Sequence, residues 1–308
     1  MNILIVGAGG FIGKNLTINL SKNKNNNITL IDLNSNNFKN IENKINNCKL
    51  IECEINNNTN FDELVLNQDL VFYLVSTIIP STSNKNVPKE IESNVLTITY
   101  FLESCVRNNV KKVVFISSGG TVYGKTTKLP ITEEAPTNPI CSYGIQKLMT
   151  EKLLYLYNYL YGLDYRIIRL ANPYGPYQIP NGILGAVTTF TYKALKNEEI
   201  VIYGDGSVIR DFIYIDDAIK AILNITNGNS EYKIFNVGSG KGTSINCILD
   251  TIEKTLHKKL NVRYENRRKN DVPINYLDVS RYEKEYGIIN LTSLEEGIKK
   301  TSDFLKEN

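Results

Sequence analysis

The segment GAGGFIG, Gly7 to Gly13, follows directly on the apolar run Ile3–Val6 and constrains the fold more than any other stretch of the chain. Glycines between a strand and a helix let the backbone turn tightly and approach a pyrophosphate closely. They also leave the free N–H groups of the helix N-terminus facing negative charge. Two frames compete. Read as G-x-G-x-x-G from Gly7, the third glycine position falls on Ile12; read as G-x-x-G-x-x-G, every position is filled, by Gly7, Gly10 and Gly13. Either frame predicts a βα unit suited to a dinucleotide.

The rest of the first half repeats that unit. Short Val- and Ile-rich runs at Ile3–Val6, Ile28–Ile31, Lys49–Cys53, Leu70–Leu74, Val113–Ser117 and Tyr165–Leu170 alternate with helix-period segments. This pattern predicts an α/β fold, a Rossmann-type doubly wound parallel sheet with helices on both faces. After NPYGPYQIPNG (Asn172 to Gly182) the alternation breaks and Pro and Gly punctuate shorter elements. We read residues 1–171 plus 203–237 as the dinucleotide-binding domain, and residues 172–202 plus 238–308 as a smaller, discontinuous C-terminal lobe that binds substrate.

Composition excludes several classes. The 35 basic and 32 acidic residues are interspersed, leaving a formal charge of +3 and no basic face that would suggest nucleic acid or anionic lipid. Met1 is followed at once by NILIV, so no signal peptide is expected. The longest apolar run, Leu70–Ile79, is interrupted by Ser76 and Thr77 and is far short of the roughly 20 residues that span a membrane. Cys48, Cys53, Cys105, Cys141 and Cys247 show no C-x-x-C spacing, and an odd count argues for free thiols and a reducing cytoplasm. His257, the one histidine, lies in the polar stretch KTLHKKL. Neither a Ser-His-Asp triad nor a metal site is expected.

Asp32 closes the second strand 19 residues after Gly13, where its carboxylate can accept hydrogen bonds from adenosine ribose hydroxyls and would repel a 2′-phosphate. NAD is therefore favoured over NADP. In SYGIQK, Tyr143 and Lys147 are four residues apart, on one helix face and about 6 Å apart along the axis. Lowering a phenol from its usual pKa near 10 towards 7 requires about 4 kcal/mol of preference for the phenolate. Lys147 and the positive nicotinamide could supply that field. A second copy of the spacing, Tyr192 and Lys196 in YKALK, shows that spacing alone does not choose. Position does, because Tyr143 follows the VVFISSGG strand and precedes the next, beside the carboxyl ends where ligands bind.

With these residues in place the chain resembles, nearly end to end, the extended short-chain dehydrogenases/reductases, in particular the nucleotide-sugar epimerases typified by UDP-glucose 4-epimerase. That family uses the G-x-x-G-x-x-G frame. Other matches are Asn94 in IESNVL, FISSGGTVYG, Asn172 in RLANPYG, YGDGSVIRDFIYIDD and RRKNDVP. The resemblance implies NAD as cofactor and a nucleotide sugar, in the first instance a UDP-sugar, as substrate. Cofactor contacts are implied for Gly7, Gly10, Phe11, Ile12 and Gly13 at the bend, and for Asp32, Asn34, Glu54 and Ile55 at the adenosine end. Leu74, Ser76, Asn94, Ser117, Tyr143 and Lys147 would complete the nicotinamide end. Asn172, Arg210 and Arg268 would hold the diphosphate or nucleoside, Tyr203 the base and Asp271 a ribose hydroxyl.

Three positions depart from the family pattern. Gly119 stands where the family carries its catalytic serine or threonine, so the hydroxyl must come from Thr121, which we favour, from Ser118, or from a water in the space a glycine leaves. Glu54 replaces the usual aspartate at the adenine. Asn275 replaces a large aromatic by the sugar, which leaves room for an N-acetylated hexose. Gly119 and Gly120 also lack the acidic pair that dehydration requires.

What remains is oxidation and re-reduction at one carbon. The expected activity is an NAD-dependent 4-epimerase acting on UDP-glucose and UDP-galactose or their N-acetylhexosamine equivalents through a transient 4-keto sugar. A cofactor-exchanging 4-reductase or dehydrogenase is the alternative within enzymes; a non-catalytic NAD-sensing protein is the alternative outside them. Segments Glu90–Arg107 and Ser142–Tyr161 are apolar on more than one face, Leu153, Leu154, Leu156, Tyr157 and Leu160 nearly encircling the second. A helix apolar all round needs cover on both sides, which predicts a homodimer.

Overall fold

A computed structural model describes residues 1–182, 185–267 and 272–307. Its first half runs β1 (Asn2–Val6), α1 (Phe11–Leu20), β2 (Asn27–Asp32), β3 (Cys48–Glu52), α2 (Phe61–Val65) and β4 (Leu70–Tyr73). It continues through α3 (Val87–Ile91), a π turn (Glu92–Leu96), α4 (Thr97–Arg107), β5 (Lys112–Ser118), α5 (Ser142–Tyr161) and β6 (Asp164–Leu170). The second half runs β7 (Asn172–Tyr174), α6 (Ala186–Lys196), β8 (Ile200–Tyr203), β9 (Ile209–Tyr214), α7 (Ile215–Asn227) and β10 (Ile234–Val237). β11 (Gly242–Ser244), α8 (Ile245–Leu256), β12 (Val262–Glu265), β13 (Ile274–Asn275), α9 (Ser280–Tyr286) and α10 (Leu294–Glu307) complete it.

The large sheet has the order β10-β6-β5-β4-β1-β2-β3 and every neighbouring pair is parallel. The six runs read from the sequence are its first six strands. Because side chains alternate faces along a strand, β1 sends Ile3 and Ile5 to one side and Leu4 and Val6 to the other. On the first side they meet Leu16 of α1 and Ile219 and Ile222 of α7. On the second they meet Phe101 and Leu102 of α4 and Leu154 and Tyr157 of α5. Each such burial contributes about 1.5–3 kcal/mol, which is why strands covered on both faces are continuous apolar runs. The chain is thus an α/β protein with a doubly wound parallel sheet. The strand order reverses between β1 and β4, and ligands of such sheets bind outside the carboxyl ends at that reversal.

The smaller lobe is built from short strands. β9 pairs with β7, β11 and β13, while β8 pairs with β12. Residues 203–237 therefore divide: Ile209–Tyr214 lies in the small sheet, whereas α7 packs beneath the large sheet and β10 extends its edge beside β6. The core on the α1 side runs on through Tyr174, Val187, Ile248 and Ile298 of the lobe, so both parts share one apolar interior. Among the described residues no helix is long and apolar enough to cross a membrane, and all five cysteines are free thiols.

Candidate active site

Sterics at the glycine bend decide the third position of the frame, Gly13 rather than Ile12; Gly9 is tight as well, a Cβ there lying 2.7 Å from Asn37 Cβ and 2.8 Å from Asp32 Cγ. Gly7 has φ of 85°, a left-handed conformation that favours glycine. A Cβ on Gly13 would lie 2.5 Å from the Ala8 carbonyl oxygen and 2.6 Å from that of Gly7, so only glycine lets α1 sit this close to the bend. Gly10 differs: a Cβ there would meet only the Gly7 oxygen, at 3.4 Å, and the residue is exposed. Its missing side chain serves what approaches from outside. Gly10 is also the N-cap of α1, with no side-chain cap and no acidic residue in the first turn, which leaves the N-terminal N–H groups open to an anion.

Asp32 ends β2 beside this bend. Its carboxylate accepts from the Gly9 N–H at 2.8 Å and from the Asn37 amide at 2.8 Å. Asn34 is exposed and its side chain caps the next turn through the Asn36 N–H. Glu54 is exposed past β3, while Ile55 rests against the core on the α4 side. Asn94 lies in the π turn, a device frequent at functional sites. Its amide is spent on protein: Oδ1 accepts from the Thr77 N–H at 2.9 Å, and Nδ2 donates to Thr77 Oγ1 and to the Glu90 carbonyl, both at 2.8 Å. Asn94 thereby pins the segment after β4 that carries Ser76, Ile78 and Pro80 to the cavity wall.

α5 brings the tyrosine and the lysine to the same place. Its first turn is anchored because the Ser142 N–H donates to Asn84 Oδ1 at 2.8 Å and the Ser142 hydroxyl to the Glu90 carboxylate at 2.6 Å. It ends at Gly162, left-handed at φ 71°, whose N–H caps the Asn158 carbonyl. Lys147 is buried, its Nζ donating to the Ile116 carbonyl at 2.9 Å and lying 5.5 Å from the Tyr143 ring centroid and 4.7 Å from that of Phe115. Burial pushes the Lys147 ammonium down to about 8, opposed by the negative charge of Glu151. Burial also pushes the Tyr143 phenol up to about 12, with the Cys141 thiol adding to the rise and a hydrogen bond from the Ser118 side opposing it. The protein alone therefore works against the phenolate, with burial the largest cause.

The hydroxyl question also has a geometric answer. A Cβ on Gly119 would lie 2.6 Å from Leu277 Cδ1, so buried Leu277 fills the space in which a water was considered. Ser118 lies beside the Tyr143 phenol and lines the cavity. Thr121 Oγ1 is buried with no hydrogen-bond partner, one turn of backbone further on. Asn275 is buried against the same turn, its amide 3.4 Å from the Gly119 carbonyl oxygen, and is not among the residues that line the cavity.

One cavity of about 790 Å³ runs along the carboxyl ends of the sheet. Gly7, Gly10, Phe11, Ile12 and Gly13 line one end, with Leu74 and Ser76 beside them. Ser117, Ser118, Tyr143 and Lys147 line the middle, and Asn172, Tyr203 and Arg210 the far end. Asn172 Nδ2 donates to the Asp211 carbonyl at 2.8 Å, tying β7 to β9, and Arg210 Nη1 donates to the Ile209 carbonyl at 2.8 Å. Arg268 and Asp271 lie outside the described residues. Sequence reasoning missed the far wall, formed by Gln178, Val187, Thr189 and Phe190 together with Val208 and Phe212. The only signal was the i, i+3 placement of Val187 and Phe190 on a helix assigned simply to the lobe. Asp211 was missed too: this buried carboxylate accepts from the Ser239 N–H and hydroxyl, both at 2.7 Å, and fixes the loop after β10.

An open parallel sheet with a glycine bend at its reversal, a helix N-terminus free for phosphate, and a tyrosine–lysine pair along the same cavity defines a dinucleotide-dependent enzyme. The open space at Gly10 and the cavity volume of about 790 Å³ fit NAD. Residues 3–238 match the NAD dependent epimerase/dehydratase family, and the chain belongs to that family. A putative UDP-glucose 4-epimerase of Methanocaldococcus jannaschii is 35% identical, with 99% of each chain covered. Among solved structures, the UDP-glucose 4-epimerase of Thermotoga maritima with UDP-glucose superposes with a TM-score of 0.91 at 31% identity, covering 100% of this chain and 99% of that one. The UDP-glucose 4-epimerase of Thermus thermophilus in complex with NAD gives 0.88 at 26% identity, covering 99% of each. The chain is an NAD-dependent isomerase of nucleotide sugars.

Proposed function

We propose that the chain inverts C4 of a UDP-hexose, glucose and galactose or their N-acetylamino counterparts, with Tyr143 as the acid–base group. The observation that carries this reading is the single cavity that joins the glycine bend, the Tyr143–Lys147 pair and Arg210. Tyr143 Oη takes the proton of the 4-hydroxyl and later returns it, while Ser118 and the unpartnered Thr121 hydroxyl hold the same oxygen. NAD, held along the bend by Gly7, Gly10 and Gly13 and at its nicotinamide ribose by Lys147, would take the C4 hydrogen as hydride and return it, and its positive charge would supply the field for a phenolate that the bare pocket lacks. Lys147 adds to that field and holds the nicotinamide ribose. Arg210 anchors the diphosphate while the oxidised sugar turns, with Arg268 and Asp271 as further nucleotide contacts and Tyr203 against the base. Adenosine ribose falls to Asp32, which must exchange its Asn37 contact for the ribose hydroxyls.

The protein acts as a homodimer in the cytoplasm. Free thiols suit a reducing compartment. On α5, Leu156, Tyr159 and Leu160 are exposed, and Leu96 and Tyr100 are exposed on the neighbouring π turn and α4, an apolar surface of the kind that marks an interface.

Purified protein offered UDP-glucose, UDP-galactose and the N-acetyl pair, with no cofactor added, is expected to interconvert one pair and to release NAD on denaturation. Accumulation of NADH, or dependence on added NADPH, would replace this reading with a reductase or dehydrogenase.

A further inference from the structure

Behind the Tyr143–Lys147 pair, away from the cavity, lies a closed set of buried polar groups that the proposed chemistry does not use. Glu151, one helical turn beyond Lys147, is 3% exposed, and Arg169 of β6 is 4% exposed. Glu151 Oε1 accepts from the Ser117 hydroxyl at 2.5 Å, and Oε2 accepts from Arg169 Nη2 at 2.7 Å. Arg169 Nη1 also donates to the Tyr123 hydroxyl at 3.0 Å and to the Glu133 carbonyl at 3.1 Å, and the Tyr123 hydroxyl donates to Asn236 Oδ1 at 2.7 Å. An ion pair this deep is often no more stable than apolar residues of the same size, because both charges are stripped of water. Its placement is informative for another reason. Two of its neighbours, Ser117 and Lys147, line the cavity on the other side.

Among the described residues no carboxylate lies within ion-pairing distance of Lys147. The groups against it are the Tyr143 ring on its own helix and the Phe115 ring and Ile116 carbonyl on β5; Glu151 lies one helical turn further on and acts on it as a charge, and around Glu151 stand Ser117 of β5 and Arg169 of β6, with Tyr123 and Glu133 beyond Arg169. Glu151 is the one anion among the nearest of these.

We propose that Glu151 is a positioning residue for the epimerisation: it keeps the Lys147 ammonium charged inside the helix–sheet interface and aims the Ser117 hydroxyl, while Arg169 sets how much of its charge Lys147 feels. This inference rests on the role given to Tyr143 and Lys147 above. Burial drives Lys147 down and the charge of Glu151 drives it back up, in the direction the inference requires.

The test is the pH profile of the holoenzyme. Glu151→Gln keeps size and an acceptor for Ser117 but removes the charge. It is expected to move the alkaline limb of kcat/KM down by about one pH unit, with KM near pH 6 within about twofold of wild type. Glu151→Asp should bring the limb most of the way back, and Arg169→Gln should move it upward, a reversal of sign that a merely structural role would not produce. A folded Glu151→Gln enzyme whose limb coincides with wild type, or Gln and Asp variants that shift alike, would overturn the proposal. If Glu151→Gln does not fold, Arg169→Gln carries the test alone and an unmoved limb there overturns it. Tyr143→Phe separates the two levels: an active Tyr143→Phe enzyme sinks the catalytic reading and this inference with it, whereas an inactive one with an unmoved Glu151→Gln limb sinks only the inference.

Discussion

Helices α5 and α6 carry the same pattern, a tyrosine one turn before a lysine, and differ in what the fold does with it. The local geometry is nearly the same: the ammonium lies 5.5 Å from the ring centroid in the Tyr143–Lys147 pair and 5.8 Å in the Tyr192–Lys196 pair. The surroundings are not. Lys147 is buried between α5 and β5 with the cavity beside it, while Lys196 is exposed at the end of α6, and Tyr192 is not part of the cavity wall. Helical spacing fixes one distance; burial and position on the sheet decide whether the pair can do proton chemistry.

The largest expected effect tests that contrast directly. Tyr143→Phe keeps the ring and removes the hydroxyl to which we assign proton transfer at the sugar, and turnover should fall about 10³-fold, within the usual range for a lost general acid–base. Tyr192→Phe should stay within about twofold. Steady-state rates on the preferred UDP-sugar measure both. Comparable losses in the two variants would mean that position on the sheet is not what separates the helices.

The same contrast marks how far sequence carried. β1, β4 and β5 were legible because they are buried on both faces and so are nearly continuous apolar runs; the edge strand β3, largely uncovered, and β6, interrupted by Arg166 and Arg169, were read from their place in the alternation, and the glycine frame from Gly13, where a Cβ would meet the Gly7 and Ala8 carbonyl oxygens. The Tyr143–Lys147 pair was found by spacing and chosen by its place between two strands. The lobe was harder to read: β7, β11 and β13 are two or three residues long and exist only because β9, distant in sequence, pairs with all three. Its contribution to the cavity wall from Val187, Thr189 and Phe190 follows from that packing rather than from any local pattern. Glu151 reads in sequence as an ordinary charged helix residue, since nothing near it announces that Arg169 will arrive from β6. Leu277, which fills the space over Gly119, comes from more than 150 residues away.

Stability gives the second, smaller contrast. The folded state holds Lys147 well below its usual value of 10.5, so below pH about 8 both folded and unfolded chains carry the proton and the full burial penalty is present. As pH rises from about 8 to 10.5 the unfolded chain binds more proton than the folded one, and stability gains. Lys147→Met removes the penalty, worth about 3 kcal/mol for that shift, but leaves the Ile116 carbonyl without its donor, which costs about 1–2 kcal/mol. Net stabilisation of about 1–2 kcal/mol is expected at pH 7, fading towards pH 10, together with a loss of activity of about 10²-fold. Urea unfolding of cofactor-stripped protein at both pH values reads it. Lys196→Met should change neither quantity, because an exposed lysine has little burial to relieve. A destabilised Lys147→Met protein at pH 7 would show that the ammonium is better solvated by its neighbours than its burial implies.

The outer faces of the two helices provide the last and mildest contrast. α6 is covered on its apolar sides by β8, α8 and α10, so little of it remains for a partner. On α5, Leu154 and Tyr157 turn into the core, but Leu156 remains 43% exposed and Tyr159 77% exposed, and Tyr155 stacks on Tyr159 at the surface with nothing above it among the described residues. Sequence read this helix as apolar all round; the fold covers one side and leaves apolar side chains exposed on the other, where a second copy is proposed to pack. Wild-type protein should therefore sediment at twice the chain mass, and Leu156→Lys should shift it towards the monomer by setting two like charges across a self-complementary surface. Lys196→Glu on α6 should leave the mass unchanged. Activity of Leu156→Lys should remain within about threefold of wild type, since the residue faces away from the cavity and Tyr143 is held from the inside by the bonds of Ser142 to Asn84 and Glu90. A larger loss would mean that the partner helps to hold α5 in place, and the two helices would then differ in assembly as well as in burial.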